Sequence, residues 1–242
     1  MTSFQRRIRG ALFSADMIIA PELDNPFWSS LYSLHRDIAL REGEVARYPA
    51  AFAPFLGVAG AGGGAAAAIA ALVEPQESVY LLGVMPAVPR GWLLEAFAPL
   101  AQMVCPAPIA VIDGPPVIEL TEAHRADVLA LVALVYPHYF RPRAMELGRY
   151  FGIYRDGRLA AMAGERLGTD TQREISAVCT HPDFHGHGYA RRLVARLSND
   201  NLEHGKLPFL HVSHDNLRAK RLYEQLGYRH RRDIGFWSLR RA

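Results

Sequence analysis

Two cysteines in 242 residues, Cys105 and Cys179, leave no disulfide framework to build. A chain so poor in cysteine fits a reducing cytoplasm, the expected location. Long apolar runs are missing as well. The uncharged stretch Gly57 to Val73, GVAGAGGGAAAAIAALV, is mostly glycine and alanine, too short and too weakly apolar to cross a bilayer. It reads as a flexible loop running into an alanine-rich helix, so no membrane is expected as a partner. The opening, MTSFQRRIRGALFSADMIIAPELD, has basic residues and a short apolar run, but no small-residue cleavage site. No secretion signal is expected. No HExxH pattern, second cysteine pair or recognised DNA- or RNA-binding motif occurs, which argues against a zinc site and against nucleic acid as a partner.

What is present suits a globular protein. Half of the residues are hydrophobic, enough to bury a substantial core. The net charge of +3 is unevenly spread: from His181 to Ala242 twelve Lys and Arg face six Asp and Glu. A basic C-terminal region suits an anionic ligand such as a phosphorylated cofactor, and equally a solvated basic face.

Four prolines around Gly114 in the segment Cys105 to Pro116, CPAPIAVIDGPP, suggest a division into residues 1–110 and 111–242. In the first part FWSSLYSLHRDIAL reads as a helix, SVYLLGVM as a buried strand, and GWLLEAFAPLAQMVC as a helix running into a strand. The second part is more regular. VIEL reads as a strand, and Thr121 caps a helix bearing Val128, Leu131, Val132 and Val135. A second helix is expected around 144–150. Asp156-Gly157 sits between two strand-like runs, a strong hairpin signal. REISAVCT is a third strand, followed by a helix from Gly188, the strand LPFLHV, a helix from Asn216 to Leu226, and a final strand or pair. The expected fold class is therefore α/β (α+β), with a mixed central sheet flanked by helices.

The run CTHPDFHGHGYARRLV crowds Cys179, His181, His185 and His187 into nine residues, interleaved with two glycines. As zinc ligands all four would have to converge from one strand end and one tight turn, without a second pair elsewhere. The alternative is a phosphate seat. Glycines at 186 and 188 would let successive backbone amides of a strand-to-helix turn face one anion, with the helix N-terminus behind them. No metal is expected.

HPDFHGHGYARRLV resembles the coenzyme A pyrophosphate loop of the GCN5-related N-acetyltransferase (GNAT) family. LHVSHDNLRAKRLYEQLGY resembles that family's C-terminal cofactor motif, and EISAVCTHP is similar to its FR47-like subgroup. The resemblance spans roughly residues 117–241. The first part resembles the degenerate half of tandem acetyltransferases by size and position alone. Two positions depart from the family's loop: Asp183 and His185 stand where Arg or Gln and a basic residue are usual.

The resemblance implies acetyl transfer from acetyl-CoA to a primary amine by direct attack in a ternary complex. Alternatives are a longer acyl-CoA donor or a catalytically silent CoA-binding protein. Cofactor contacts are implied at Val178, Cys179, Thr180, His185, Gly186, His187, Gly188, Tyr189, Ala190 and Asn216. The acceptor could be a small molecule or a peptide amine, and a homodimer is compatible with the chain.

Two residues are candidates for proton transfer. Glu174 precedes Val178 by four residues, so strict alternation puts both on one face about 13 Å apart along the strand. It is a candidate general base through water, or else a strand-end carboxylate paired with Arg173 or Arg166. Tyr223 follows Asn216 by seven residues on one helix face, and the family places its proton-donating Tyr there. It is a candidate acid, or else a core aromatic. Asn216 could also cap its helix. Cys179 as a covalent nucleophile lacks an evident base. Arg141 and Arg143 in YPHYFRPRAMELGRY hint at a carboxylate-bearing acceptor.

Overall fold

The computed structural model describes residues 20–62 and 64–242. The expectation of no secretion signal rests chiefly on residues 1–19, outside that range. Among the described residues no helix is long and apolar enough to cross a membrane.

The first part opens on α1 (Pro26–Tyr32), with Pro26 in the first turn, where its missing N–H costs nothing. The expected helix to Leu40 stops early. Ser33 Oγ turns back to the Ser29 carbonyl, 2.6 Å away, and the His35 amide bonds the Ser30 carbonyl. A small sheet of β1 (Leu40–Glu42), β2 (Val45–Arg47) and β3 (Leu56–Val58) follows. The alanine-rich segment forms α2 (Ala65–Leu72) as expected. Next come β4 (Ser78–Leu82), β5 (Trp92–Ala96) and β6 (Leu100–Val104). GWLLEAF is thus a strand rather than a helix. Its residues pair with the C-terminal strand, Trp237 opposite Ala96 and Leu239 opposite Leu94, and that pairing overrides the helical propensity of Leu, Glu and Ala.

The second part supplies β7 (Ile118–Leu120), α3 (Arg125–Val135), β8 (Tyr150–Arg155), β9 (Arg158–Gly168) and β10 (Gln172–Thr180). They are followed by α4 (Tyr189–Glu203), β11 (Leu207–Ser213), α5 (Leu217–Gln225), β12 (Arg229–Ile234) and β13 (Phe236–Arg241). Asp156 and Gly157, with φ of +51° and +73°, make the tight β8–β9 turn that this dipeptide predicts. The helix expected at 144–150 shrinks to a single 3-10 turn, Ala144–Leu147, because Tyr150 is already pairing with Gly164 in β8.

Seven strands form the main sheet in the order β12-β6-β11-β10-β9-β8-β7, mixed because β10 and β11 are parallel and every other neighbouring pair is antiparallel. The two parts exchange strands. β6, from the first part, lies between β11 and β12, with Phe209 and Arg229 both opposite Val104. β13, from the second part, lies between β4 and β5, with Leu239 opposite both Val79 and Leu94. A division near residue 110 therefore cuts through both the seven-stranded sheet and the β4-β13-β5 sheet, each of which is completed by a strand from the other part. The chain crosses over at Gly235, where a Cβ would run into the Trp237 ring. The proline-rich segment between the parts packs across α4, with the Asn199 amide clasping Ile109 N and O at 2.7 and 2.8 Å.

Candidate functional site

β10 and β11 hold parallel register only from Gln172 opposite Leu207 to Glu174 opposite Phe209, and then part. On its other edge β10 carries a bulge. Ser176 opposes Gly164, yet Cys179 opposes Met162, and the extra residue is absorbed at Ala177, whose φ is +50°. The bulge breaks the expected alternation. Ile175 and Val178 both pack into the core beneath α4, whereas Cys179 packs with Met162 and Tyr150 on the opposite face. Glu174 bonds His211 and Arg166 on the face away from α4, so it does not share a face with Val178.

A cavity of about 490 Å³ occupies the gap. Its lining includes Val178, Val212 and Tyr223 from the α4 and α5 side, and Phe27, Phe55 and Phe236 from the side built with the first part. The cavity thus passes through the sheet where the strands diverge. Glu174, Ser176 and His211 line it at the crossing.

Glu174 is buried, and its carboxylate takes two bonds from Arg166, Nε to Oε2 at 2.9 Å and Nη2 to Oε1 at 3.0 Å. His211 Nδ1 is 2.8 Å from the same Oε1. Burial alone would raise this carboxyl's pKa, but the Arg166 charge and the bonds from His211 and Arg166 outweigh it and hold the value at about 2. Arg166 itself lies over the Phe55 ring at 4.8 Å. On the far side of His211, Nε2 is 3.0 Å from Gln102 Nε2. The orientation of the Gln102 amide is fixed from both ends. Nε2 also donates to the Leu23 carbonyl at 2.8 Å, and Oε1 accepts from Arg231 Nη1 at 2.7 Å. Gln102 is therefore the donor to His211, which puts a lone pair on His211 Nε2 and the proton on Nδ1, facing Glu174.

The turn before α4 has the backbone that an anion seat needs. Gly186 and Gly188 have φ of +84° and +74°, and Gly188 caps the helix in the left-handed region. The amides of residues 186–191 find no acceptor among the described residues. His185 Nε2 donates to the Thr180 carbonyl at 3.2 Å, and its Nδ1 faces Arg218 at 3.4 Å, so its ring braces the turn. His187 stacks on Tyr189. His181 accepts from the Asp183 amide. Among the described residues no three His, Cys, Asp or Glu side chains are gathered as a metal would require.

Asn216 Oδ1 accepts from the Ala219 amide at 3.1 Å, capping α5, while the residue also lines the cavity. Tyr223 is buried one face of α5 further on, lines the cavity, and has no hydrogen-bond partner for its hydroxyl among the described residues. Burial pushes its pKa well up, so the phenol keeps its proton at neutral pH. Burial likewise pushes the Cys179 thiol to about 12, and among the described residues no base touches it, which disfavours a thiolate there. Arg143 bonds Glu146 at 2.9 and 2.6 Å and covers Phe52, and Arg141 reaches backbone carbonyls, so neither lines the cavity.

Sequence reasoning missed His211, Gln102 and the aromatic residues of the first part. A signal for the first existed: in LPFLHV, His211 is the polar residue of an otherwise apolar strand. Tyr136 and Tyr139 from the YPHYF segment line the cavity, placing that segment at its rim.

A parted parallel pair, one of its strands bulged, and a glycine turn opening a helix define an acyltransferase of the GNAT architecture. The chain belongs to the GCN5-related N-acetyltransferase family. Residues 150–237 match the family described as FR47-like protein. A protein of Novosphingobium aromaticivorans assigned to the GNAT acetyltransferases is 32% identical, over 91% of this chain and 98% of that one, with a TM-score of 0.82. A GCN5-related N-acetyltransferase from Kribbella flavida, 16% identical over 87% of this chain and 92% of that one, shares the fold with a TM-score of 0.54. No curated protein matches the chain.

Proposed function

We propose that the protein transfers an acetyl group from acetyl-CoA to a primary amine by direct attack, with both substrates in the through-sheet cavity. The observation that carries this reading is the cavity itself, which joins the two faces of the sheet at the β10–β11 gap. The donor supplies an acyl group already activated as a thioester. The residues present fit it. The unengaged amides of residues 186–191 offer a cradle for a pyrophosphate, and the edge of β10 from Val178 to Thr180, left unpaired by β11, lies where a pantetheine chain would run.

His211 Nε2 carries the lone pair that would take the proton released by the attacking amine, exchanging its Gln102 contact for that proton. Glu174, held ionised, would orient His211 and stabilise the imidazolium. The expected base role of Glu174 is then exercised through His211. Tyr223 would hand its hydroxyl proton to the departing sulfur. Cys179 would take no covalent part.

A smaller chamber of about 60 Å³ lies against the bulge at Ala177 and Cys179, sharing Tyr136 and Tyr139 with the main cavity. It favours a second reading, in which acyl groups a few carbons longer than acetyl are also transferred. Calorimetric titration of acetyl-CoA, propionyl-CoA and butyryl-CoA tests both. One-site binding of acetyl-CoA that is lost in a Gly186→Val/Gly188→Val variant is expected. Retained binding in that variant would remove the cradle from the argument.

A further inference from the structure

The acceptor end of the cavity differs in chemistry from its donor end. Six aromatic rings line it: Phe27, Phe55, Phe97, Tyr136, Tyr139 and Phe236. They form a continuous wall, with Phe27 stacked on Phe55 at 4.3 Å and Tyr139 edge-on to Phe236 at 5.8 Å and tilted against Phe55 at 6.5 Å. Four come from the first part or from the exchanged strand β13. The strand exchange is therefore what closes this end.

Charge is the deciding feature. Among the described residues, the cavity's fixed charges are Arg166 and Glu174, bound to each other through two hydrogen bonds, so they present no net charge to a ligand. Among those residues no free carboxylate waits for the ammonium of a basic side chain, and no free guanidinium or ammonium waits for a carboxylate. An amino acid or a polycation would have to strip water from charges that nothing in the cavity replaces. An aryl group would instead bury its rings against rings. Val135 and Tyr136, which line the cavity, are 37% and 51% exposed, so this end opens to solvent beside the end of α3.

Resting on the transferase reading above, we infer that the acceptor is a small primary amine with an aromatic or similarly apolar body and no other charged group. Its body lies on the Phe27–Phe55–Tyr139 wall and its amine reaches His211. Binding as the neutral amine leaves the nitrogen lone pair free for attack.

The test measures CoA release with acetyl-CoA and four acceptors: 2-phenylethylamine, glycine, spermidine and an N-terminally blocked lysine peptide. Acetyl-CoA binding is measured separately by calorimetry. The kcat/KM for 2-phenylethylamine should exceed each of the others by about tenfold or more, the advantage of burying one aromatic side chain. Phe97 and Tyr139 are only half-buried, so Phe97→Ala and Tyr139→Ala should remain folded by circular dichroism. Each should raise the KM for 2-phenylethylamine several-fold while the Kd for acetyl-CoA stays as in the parent. Bound acetyl-CoA together with a preference for glycine, spermidine or the peptide overturns this inference alone. So does bound acetyl-CoA with no transfer to 2-phenylethylamine, or an unchanged KM in both variants. Failure to bind acetyl-CoA at all overturns the transferase reading and this inference with it.

Discussion

Replacing Glu174 by Gln keeps its shape and one carbonyl oxygen for His211, but removes the negative charge facing Arg166. The guanidinium, half-buried on the cavity wall, then has no counter-charge, and breaking such a pair from one side costs up to about 3–5 kcal/mol. The carboxyl's own titration gives a second route to the same number. A pKa of about 2 against an ordinary 4.5 corresponds to roughly 3 kcal/mol at 1.36 kcal/mol per pH unit. Because the folded value is depressed, this stability is present in full above pH 4.5. It is lost as the pH falls through about 2. Urea denaturation of the parent, Glu174→Gln, Arg166→Met and the double variant forms a complete cycle. Glu174→Gln should lose about 3–5 kcal/mol, with a fall in Tm of roughly 6–20 °C for a chain of this length. The double variant should be more stable than either single one implies, since the uncompensated charge is gone. A loss below about 1 kcal/mol in Glu174→Gln, or single effects that simply add, would refute the idea that the pair is held together by its own charges in a dry site.

The remaining predictions concern a second buried titrating group and the two proton carriers. His35 is buried between the first part and the segment before β8, with Nε2 donating to the Leu147 carbonyl at 2.9 Å and Nδ1 2.8 Å from the Tyr48 hydroxyl. Burial, opposed by the Leu147 bond and aided by the Arg173 charge, lowers its pKa from 6.5 to about 4, so the folded protein holds it neutral. As the pH falls from 6.5 to 4 the unfolded chain takes up a proton that the folded one refuses, and stability should drop by about 3 kcal/mol. In His35→Gln the urea midpoint should be nearly flat over that window, and an unchanged slope would assign the effect to other groups. Tyr223→Phe should lower kcat by about 10²–10⁴ with the Kd for acetyl-CoA unaltered, on the scale of general acid catalysis. His211→Gln should lower kcat by about 10²–10⁴ with the Kd for acetyl-CoA unaltered, and a kcat within a few-fold of the parent would place the base elsewhere.

What could be read from the sequence was what local chemistry determines. Asp156-Gly157 marks a turn because few other residues accept two positive φ values in succession, and the turn is there. Gly186 and Gly188 marked a strand-to-helix turn for the same reason. The failures were non-local. Alternation placed Glu174 with Val178, and one extra residue at Ala177 reversed it, because a bulge is set by the partner strand's register rather than by its own sequence. GWLLEAF has helix-forming residues, and its strand conformation comes from β13, some 140 positions away. Arg166 was among the partners weighed for Glu174. The third member, His211, went unremarked because its importance lies in what faces it across the gap between two strands.

The strand exchange links these failures to the site. With β6 seated between β11 and β12, Gln102 pairs with His211 across the β6–β11 ladder, and this register brings the Gln102 amide to His211 Nε2. The first part thus reaches the crossing through one side chain on β6. It also builds the aromatic end of the cavity, through Phe27, Phe55 and Phe97 and through the Phe236 of the strand it receives. The last strand leaves to complete another sheet, while β6, seated beside β11, carries the residue that donates to the imidazole. Motif reading concentrated on residues 117–241 could find the glycine turn before α4 and Tyr223 on the cavity wall. The aromatic wall and the His211 tautomer depend on residues it had set apart, because pairing across the whole chain, not proximity in it, assembles that half of the cavity.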